Sequence, residues 1–263
     1  MKSIPLEKPG VIWKRILAGI ILVGMFFAAT NFLAIDAEKF TSRLGNVPEV
    51  LDRMSGINLA IVPDILQSAL ISLFLAVISV TLSTAISLVL SFLAAENITP
   101  AMGLSVVIKA FVAIIRSIPS LVLGLIVIAS IGFGNTSAVF AMTVAGTGYL
   151  TKAFTSTIED IGTDVIEAIG STGSSWWGII IHGLFPSAIT GFLSWLTIEI
   201  ENSISLSVSL GMLGITGLGL LLSNAQMKYQ YTNMTTIILF IFLMMFILEL
   251  TTTKIREDLN GDH

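Results

Sequence analysis

Long runs without a charged residue alternate along this chain with short segments in which the charges gather. Residues 16–35 and 65–95 are two such runs, and as helices each is long enough to cross a hydrocarbon core of about 30 Å. A turn-rich cluster at 132–136 divides the uncharged stretch 117–151 into two shorter spans. The pattern therefore predicts an all-α membrane protein with about six transmembrane helices, at residues 16–35, 65–95, 118–132, 137–154, 187–209 and 229–248.

Two segments between these spans are predicted to lie outside the apolar core. A helix is predicted to begin at Pro100, after Thr99, and to end near Arg116. Because that helix also contains Lys109, we expect it to lie at the membrane surface. The glycine-rich stretch 211–219 is expected to be irregular and to lie near the outer mouth of the protein.

Charged residues make up only 11% of the chain, and hydrophobic residues make up 54%. A soluble domain usually carries about 25% charged residues, so lipid must solvate much of this surface. The absence of cysteine excludes disulfides, thiolate metal ligands and thiol nucleophiles, and two histidines far apart cannot form a histidine metal cluster. The net charge of −4 and the lack of a basic patch argue against nucleic acid as a partner.

The first apolar run can be a retained span or the core of a cleaved signal peptide. Signal peptides have apolar regions of about 7–15 residues, whereas the run at 16–35 has 20, which favours a retained span. With the amino terminus inside, nine of the 13 basic residues fall in inner segments, Lys2 and Lys8 among them, and four in outer segments. The positive-inside rule then predicts that both termini and the polar segment around Glu167 are cytosolic.

The polar segment at 156–186 differs from the other connections in its acids and its glycines. Asp160, Asp164 and Glu167 follow one another at spacings of four and three, which places them on one face of a helix. That face is either solvated loop or an acidic surface that docks into a basic cleft of a soluble partner. Glycine costs about 1 kcal/mol in a helix interior, so the glycines predict two short helices with a bend. These glycines are Gly170, Gly173, Gly178 and Gly183.

Two acidic residues, Glu199 and Glu201, fall inside the span predicted at 187–209. A carboxylate within a membrane is costly and is a candidate for the transport pathway, the alternative being a structural hydrogen bond between helices. Positions two apart are separated by about 200° around a helix, so both side chains cannot face one lumen. Serines at every second position from 203 to 209, Ser205 among them, suit close helix packing, because a lone strand would leave its backbone unsatisfied in lipid.

The segment around Glu167 resembles the cytosolic EAA motif of the membrane subunits of bacterial ABC importers. That motif reads E-A-A, three residues, G, nine residues, I-x-L-P. In this chain Glu167, Ala168, Gly173 and Pro186 keep its register. The positions that depart from it are Ile169 in place of the second alanine, Gly183 in place of isoleucine and Phe185 in place of leucine.

The resemblance extends over about residues 65–256 and is closest to the phosphonate-type branch of the family. Arg116 and Pro119 match the R-x-I-P that opens a core span in that branch. Residues 132–134 resemble its G-x-G turn. Residues 210–219 resemble its glycine-rich L-G-x-x-G-x-x-G-x-G stretch.

The resemblance leaves the class of solute open. Glu201 falls on the membrane glutamate of the phosphonate-type branch. Ser205 stands where that branch has an arginine, and arginine is the natural partner of an oxyanion. A phosphonate-like or phosphate-ester-like oxyanion is therefore one expectation, and a zwitterionic or cationic solute, such as an amino acid or a quaternary amine, is the other.

The resemblance also implies an assembly and a MetI-like, type I importer fold. Two permease subunits, expected as a homodimer in the bacterial cytoplasmic membrane, would form the pathway. Separate ATPase subunits would bind ATP and magnesium, and an extracytoplasmic substrate-binding protein would deliver the solute. The chain contains no Gly-x4-Gly-Lys-Ser/Thr sequence, so it is expected to be a transport subunit and not an enzyme.

By the same resemblance the chain divides into an anchor with an external segment at 1–64, a permease core at 65–256 and a cytosolic tail at 257–263. Within the core, residues 156–186 form the segment that couples to the ATPase. Coupling is assigned to Asp164, Glu167, Ala168, Gly173 and Pro186. The pathway or its gate is assigned to Glu199, Glu201, Ser205, Gly214 and Gly217. Arg116 and Pro119 are placed at the membrane interface, in contact with lipid.

Two other classes of function remain as alternatives. A secondary transporter would use Glu199 and Glu201 as proton sites, and it would keep working when the partner ATPase is blocked. A membrane scaffold would show no solute uptake. An importer subunit should lose uptake when Glu167 or Gly173 is changed, although the chain still inserts into the membrane.

Overall fold

The computed structural model describes residues 11–34 and 36–261, and in these ranges every regular element is helical, which confirms the all-α prediction. The α-helices of the described ranges are α1 (Val11–Phe32), α2 (Ala37–Leu44), α3 (Val47–Arg53), α4 (Val62–Ala94), α5 (Met102–Ser117), α6 (Ser120–Ile131), α7 (Asn135–Glu159), α8 (Thr163–Gly170), α9 (Trp176–Ile179), α10 (Phe185–Met212), α11 (Gly217–Met227) and α12 (Tyr231–Gly261). A 3-10 turn, Leu59–Ile61, precedes α4, and a π-helical turn, Ile180–Leu184, joins α9 to α10. Lys2 and Lys8, which entered the predicted orientation, lie outside the described residues, as do the last two residues of the predicted tail.

The chain divides between Asp52 and Arg53 into two compact units. In the first unit, α1 has no buried residue over Trp13–Phe32. A helix this apolar that gains no cover from protein is suited to lipid on all sides. Lys14 and Arg15, which the pattern placed before the span, belong to the first turns of α1. Long basic side chains at a helix end can extend towards the aqueous interface while their stems stay in apolar surroundings.

Helices α4, α7 and α10 form the centre of the second unit, with α4 and α7 parallel and α10 antiparallel to both. Ser79 and Ser87 of α4 donate hydrogen bonds to the carbonyl oxygens of Val139 and Thr147 on α7, at 3.4 and 3.2 Å. Small side chains let two helix backbones approach closely, so this contact does not depend on large apolar residues. The buried serines of α4 are Ser72, Ser79, Ser83, Ser87 and Ser91.

An aromatic cluster closes the bundle at the end where α4 and α7 finish. Phe92, Phe154 and Phe192 are all buried there. The ring centroids of Phe154 and Phe192 are 4.5 Å apart, and those of Phe92 and Phe192 are 6.2 Å apart in an edge-on arrangement. Leu184 and Ala188 pack into the same cluster, which fixes the start of α10 beneath the short helices α8 and α9.

Four helical stretches of the described residues are long and apolar enough to cross a membrane, and one bent pair raises the number to five. The prediction of about six spans differs in two places. The span predicted at 118–132 is the 12-residue α6, about 18 Å long, which cannot cross without α5. Helix α7 has 25 residues, but its threonines, serines and glycines reduce its apolar character. The stretches that qualify are Trp13–Phe32, Leu59–Ala94, Trp176–Met227 and Tyr231–Leu259, and the pair is Met102–Ser117 with Ser120–Ile131, bent by 90°.

The predicted start of α5 at Pro100 is early by two residues. The helix begins at Met102, and Ala101 occupies its cap position. Thr99 does not cap it, because its hydroxyl donates to the carbonyl oxygen of Leu93 at 2.9 Å. That hydrogen bond stabilises the turn between α4 and α5, so the proline belongs to the turn and not to the helix.

The prediction that 211–219 is irregular is wrong for most of that stretch. Only residues 213–216 lie outside a helix, because α10 continues to Met212 and α11 begins at Gly217. A Cβ atom on Gly219 would collide with the carbonyl oxygen of Val208. The missing side chain therefore lets α11 fold back closely against α10, and this glycine serves helix packing.

Candidate functional site

Residues 160–184, called here the α8–α9 segment, leave the bundle at the end of α7 and return to it at α10. Helix α8 ends at Gly170, and Gly173 turns the chain back with a φ of +80°, which residues with a side chain rarely adopt. Helix α9 and the π-helical turn lead into α10, which has Pro186 in its first turn. The predicted bend is confirmed at Gly170 and Gly173, but only α8 is a separate short helix, because the chain is helical without a break from Trp176 through the π-helical turn into α10.

Two carboxylates lie on the outward face of the α8–α9 segment. Asp164 and Glu167 are three residues apart on α8, and both are exposed, as is Ala168. Asp160 does not belong to this face, because it caps the end of α7 and Gly162 separates it from α8. The prediction that all three acids share one helix face is therefore wrong for Asp160, since the helix breaks before α8 begins.

The inner side of α8 rests on the π-helical turn. The Cδ1 atom of Ile169 occupies the space that a Cβ atom on Gly183 would need, and Cγ1 of Val165 would lie 3.7 Å from that position. Positions 169 and 183 are two of the places where the chain departs from the EAA pattern, which has alanine and isoleucine there. The larger side chain at 169 and the missing one at 183 are complementary in volume, so the two departures compensate each other.

Hydrogen bonds join the α8–α9 segment to the loop between α4 and α5. Trp176 donates from Nε1 to the carbonyl oxygen of Ile98 at 2.7 Å. Asn97 donates from Nδ2 to the carbonyl oxygen of Ile158, at the end of α7, at 2.8 Å. Trp177, in contrast, is 65% exposed. One tryptophan thus fastens the segment to the bundle, and the other presents an apolar surface outward.

A small ion-pair network lies at the end of α7, just before the α8–α9 segment begins. Lys109 Nζ of α5 lies 2.6 Å from Glu96 Oε1 and 2.8 Å from Glu159 Oε1. The Glu159 carboxylate also accepts the backbone N–H of Glu96 at 2.9 Å. All three side chains are partly exposed, so solvent weakens each pair. The network holds α5 and the α4–α5 loop against the end of α7.

The second candidate region, called here the Glu199 cleft, is a cavity of about 310 Å³ between α6, α7 and α10. Ser120, Tyr149 and Ser205 contribute to its walls together with Glu199. Glu199 is only 5% exposed, and its Oε1 accepts a hydrogen bond from Ser203 Oγ at 3.2 Å. The cleft therefore contains a carboxylate that is nearly enclosed by protein and has one serine partner one helical turn away.

Gly146 makes room for that carboxylate. A Cβ atom on Gly146 would lie 2.7 Å from Glu199 Oε1 and 2.9 Å from Ser83 Oγ, closer than real Cβ contacts. Helices α4, α7 and α10 therefore meet at this glycine, and its missing side chain sets the position of the carboxylate.

Glu201 faces away from the cleft, towards α12. Thr252 donates its hydroxyl to Glu201 Oε1, and Arg256 Nη2 lies 3.8 Å from the same oxygen. The two glutamates contact different neighbours, which agrees with their separation of about 200° around α10. Among the described residues, no three histidine, aspartate or glutamate side chains are grouped closely enough to hold a metal ion.

Gly214 lies in the break between α10 and α11, and Gly217 is the first residue of α11. Both have positive φ angles, +96° and +77°. Ser72 of α4 supports the break by accepting the backbone N–H of Leu218 at 3.1 Å. Neither glycine lines the Glu199 cleft, and their role as a gate stays a prediction.

Arg116 and Pro119 lie at the 90° bend between α5 and α6. Arg116 lines a smaller cavity of about 160 Å³, to which Tyr149 and Ser120 also contribute. Because Tyr149 and Ser120 line the Glu199 cleft as well, the two cavities are neighbours around α7. Polar residues therefore line the two neighbouring cavities from Glu199, through Tyr149 and Ser120, to Arg116.

Sequence reasoning missed three residues that build the cleft: Ser83, Gly146 and Tyr149. One signal was available in the uncharged run of α4, where serines recur at spacings of four residues from Ser79 to Ser91. That spacing predicts a polar stripe on one helix face. No local pattern indicated that α7 would supply the glycine and the tyrosine opposite that stripe.

The family model described as "Binding-protein-dependent transport system inner membrane component" matches residues 87–255, more than half of the chain. The phosphate-import permease protein PhnE of Mycolicibacterium smegmatis is 24% identical over 240 residues, which cover 91% of this chain and 45% of that relative. The phosphite transport system permease protein PtxC of Stutzerimonas stutzeri is 26% identical over 186 residues, 71% of this chain and 68% of that relative. The chain thus spans less than half the length of the mycobacterial relative.

Solved structures of transporters show a similar fold. One, of inward-facing conformations of the MetNI methionine ABC transporter, gives a TM-score of 0.69 at 21% identity and covers 77% of this chain and 99% of its own. A second, of an amino acid ABC transporter, gives a TM-score of 0.61 at 18% identity and covers 85% of this chain and 99% of its own. At these identities the likeness concerns the fold, which is the MetI-like fold expected from the sequence.

Proposed function

The chain belongs to the family of binding-protein-dependent transport system inner membrane components, and we propose that it lines the solute pathway of an ATP-driven importer as its membrane subunit. Family membership makes it a permease component that is not itself catalytic, consistent with the lack of a phosphate-binding loop motif in the sequence. Several long apolar helices agree with a location in the inner membrane. ATP and magnesium belong, in this proposal, to separate ATPase subunits.

The observation that carries the proposal is the exposed acidic face of α8 on a segment that projects from the bundle. Asp164 and Glu167 are exposed, and α8 has no buried residue, so both carboxylates are accessible to a basic cleft of a soluble partner. Trp176 connects the same segment to the α4–α5 loop, and Leu184 packs in the aromatic cluster formed by α4, α7 and α10. A displacement of α8 by an ATPase would therefore reach the helices that surround the cleft.

The assembly that we propose contains two copies of this chain, two ATPase subunits and a substrate-binding protein on the outer side. The α8–α9 segment and both ends of the chain lie on the cytosolic side in this arrangement. The Glu199 cleft, its neighbour at Arg116 and the break at Gly214 and Gly217 form this chain's share of the pathway.

The solute that we propose is a small phosphorus oxyanion, because relatives are named for phosphate import and phosphite transport. Arg116 is the cation nearest to the cleft along the row of cavities, whereas Ser205 adds only a hydroxyl. A second candidate is a zwitterion or cation, favoured by the enclosed carboxylate of Glu199 in the same cleft. Thermal shifts of the partner binding protein with phosphite, alkylphosphonates, aminoalkylphosphonates and quaternary amines distinguish the two candidates.

The test of coupling is Glu167→Lys. Glu167 is exposed, so the variant should insert and fold normally, while its reversed charge opposes a basic cleft. We expect solute uptake to fall by about tenfold or more and the ATPase that co-purifies with the wild-type chain to be lost. Glu257→Lys, an equally exposed acid on α12, is the matched control and should keep both. Equal behaviour of the two variants would show that α8 is not the docking surface.

A further inference from the structure

A groove between α5 and α7 extends beyond the proposed pathway and shares only Arg116 with it. It is a cavity of about 310 Å³ at the end of the bundle that carries the α8–α9 segment. Its apolar wall includes Ile108 and Val112 of α5. Its polar side includes Arg116 of α5 together with Lys152 and Thr155 of α7. The groove therefore has apolar residues on one side and positively charged side chains on the other.

The positive charge of the groove is only partly neutralised by the protein. Lys109, which also lines the groove, is paired with Glu96 and Glu159. Arg116 and Lys152 are exposed and form no ion pair with any described residue. Two cations on neighbouring helices are thus left facing one cavity, where an anion between them would relieve their mutual repulsion.

A buried hydroxyl lies within the groove. Thr155 is 5% exposed, and its Oγ1 has no hydrogen-bond partner among the described residues. Leaving a buried hydroxyl unpaired is unfavourable, so such groups usually meet a partner from protein, water or ligand. Thr155 lies three residues from Lys152 on α7, which places the two side chains on one face of the helix, and both line the groove.

We propose that this groove binds the phosphate group of an anionic membrane phospholipid. The phosphate lies between Arg116 and Lys152 and accepts a hydrogen bond from Thr155 Oγ1, while an acyl chain follows Ile108 and Val112. A free phosphate would satisfy the cations but would leave the apolar wall uncovered.

The test measures the thermal unfolding of the purified full chain in a neutral detergent with added lipid. Phosphatidylglycerol should raise the melting temperature in a concentration-dependent way, whereas phosphatidylcholine of the same acyl chains and inorganic phosphate should not. Each cation near a membrane surface contributes about fivefold in affinity, so Arg116→Gln with Lys152→Gln should weaken the apparent affinity by about 25-fold. Lys254→Gln, an exposed lysine on α12, should leave it unchanged.

The remaining outcomes contradict the proposal in different ways. An equal shift with phosphatidylcholine would show a non-specific detergent effect. A shift with inorganic phosphate alone would identify a free-anion site. Thr155→Val keeps the volume of the buried side chain and removes only the hydroxyl, so it should weaken phosphatidylglycerol binding without unfolding the chain. Retained lipid counted by native mass spectrometry provides a second readout, and full retention by the double variant would overturn the proposal.

Discussion

The α8–α9 segment and the Glu199 cleft place carboxylates in opposite surroundings. Asp164 and Glu167 are exposed to solvent on a short helix, and Asp164 lies in its first turn, where the helix N-terminus favours a negative charge. Glu199 is 5% exposed, and its carboxylate is held by Ser203 and by the space above Gly146. A change to an exposed acid on α8 therefore alters what the chain can bind, whereas a change around Glu199 alters the packing of three helices at once.

The two regions also differ in how they are attached. The α8–α9 segment is attached to the bundle by the hydrogen bond of Trp176 and, at its end, by Ile180 and Leu184, which are buried in the aromatic cluster. The cleft is built from close helix contacts between small residues of α4, α7 and α10. Helix α8, which has no buried residue, can move relative to the bundle, while the cleft changes shape only when whole helices move.

The largest effect is expected where the segment does pack tightly, at Ile169 and Gly183. Gly183→Ile forces a branched side chain into space that Ile169 occupies, which should lower the free energy of unfolding by about 1–3 kcal/mol. We expect a displaced α8 and a loss of uptake of about tenfold or more. Thermal unfolding in detergent and a solute uptake assay measure the two effects.

Ile169→Ala with Gly183→Ile restores the pattern of the family and should recover most of the loss. A double-mutant cycle then gives a favourable coupling of about 1 kcal/mol or more between the two positions. If the two single effects simply add, the side-chain volumes at positions 169 and 183 are not coupled.

The second effect, expected to be smaller, tests the tight packing of the cleft. An alanine within a helix is normally more stable than glycine by about 0.5–1 kcal/mol. Gly146→Ala should reverse that sign and lower the free energy of unfolding by about 1–2 kcal/mol, because its Cβ would meet Glu199 and Ser83. Gly103→Ala in α5, where no atom lies within 4 Å of the added Cβ, is the matched control and should be neutral or stabilising. If both variants change the free energy of unfolding equally, the residues around Gly146 can shift to accommodate the added methyl group, and the cleft is not tightly packed.

The difference between the regions also explains what could be predicted from the sequence. The bend after the short helix α8 was predictable, because Gly170 and Gly173 are only three residues apart and act on local backbone geometry. The continuous helix from Trp176 into α10 was not predictable, because Gly178 and Gly183 suggested a further break there. Such reasoning failed for Asp160. Its spacing from Asp164 fits a continuous helix, but α7 ends at Glu159, before α8 begins. A spacing rule assumes a continuous helix, and only the cap shows where the helix stops.

The cleft could be predicted only in part, because its walls come from distant parts of the chain. The sequence indicated that Glu199 and Glu201 face different directions, but not which neighbour each one meets. Glu201 turns towards Thr252 and Arg256 on α12, and this depends on how α12 packs against α10. Those contacts join residues more than fifty positions apart, and helix periodicity gives no information about them.

The smallest effect is expected at the Lys109 network, which holds α5 and the α4–α5 loop against the end of α7, just before the α8–α9 segment begins. The Lys109 side chain is 35% exposed, and its partners Glu96 and Glu159 are 57% and 33% exposed. Partly exposed ion pairs contribute about 0.2–1 kcal/mol, and salt screens them because the Debye length falls from about 10 Å at 0.1 M to about 3 Å at 1 M. Lys109→Gln should therefore lower the melting temperature slightly at low salt and not at 1 M salt, in detergent without anionic lipid. The loss caused by Gly146→Ala should be the same at both salt concentrations, since it arises from steric contact and not from charge. A loss for Lys109→Gln that persists at 1 M salt would place the network among the buried contacts of the bundle and remove the contrast between the two regions.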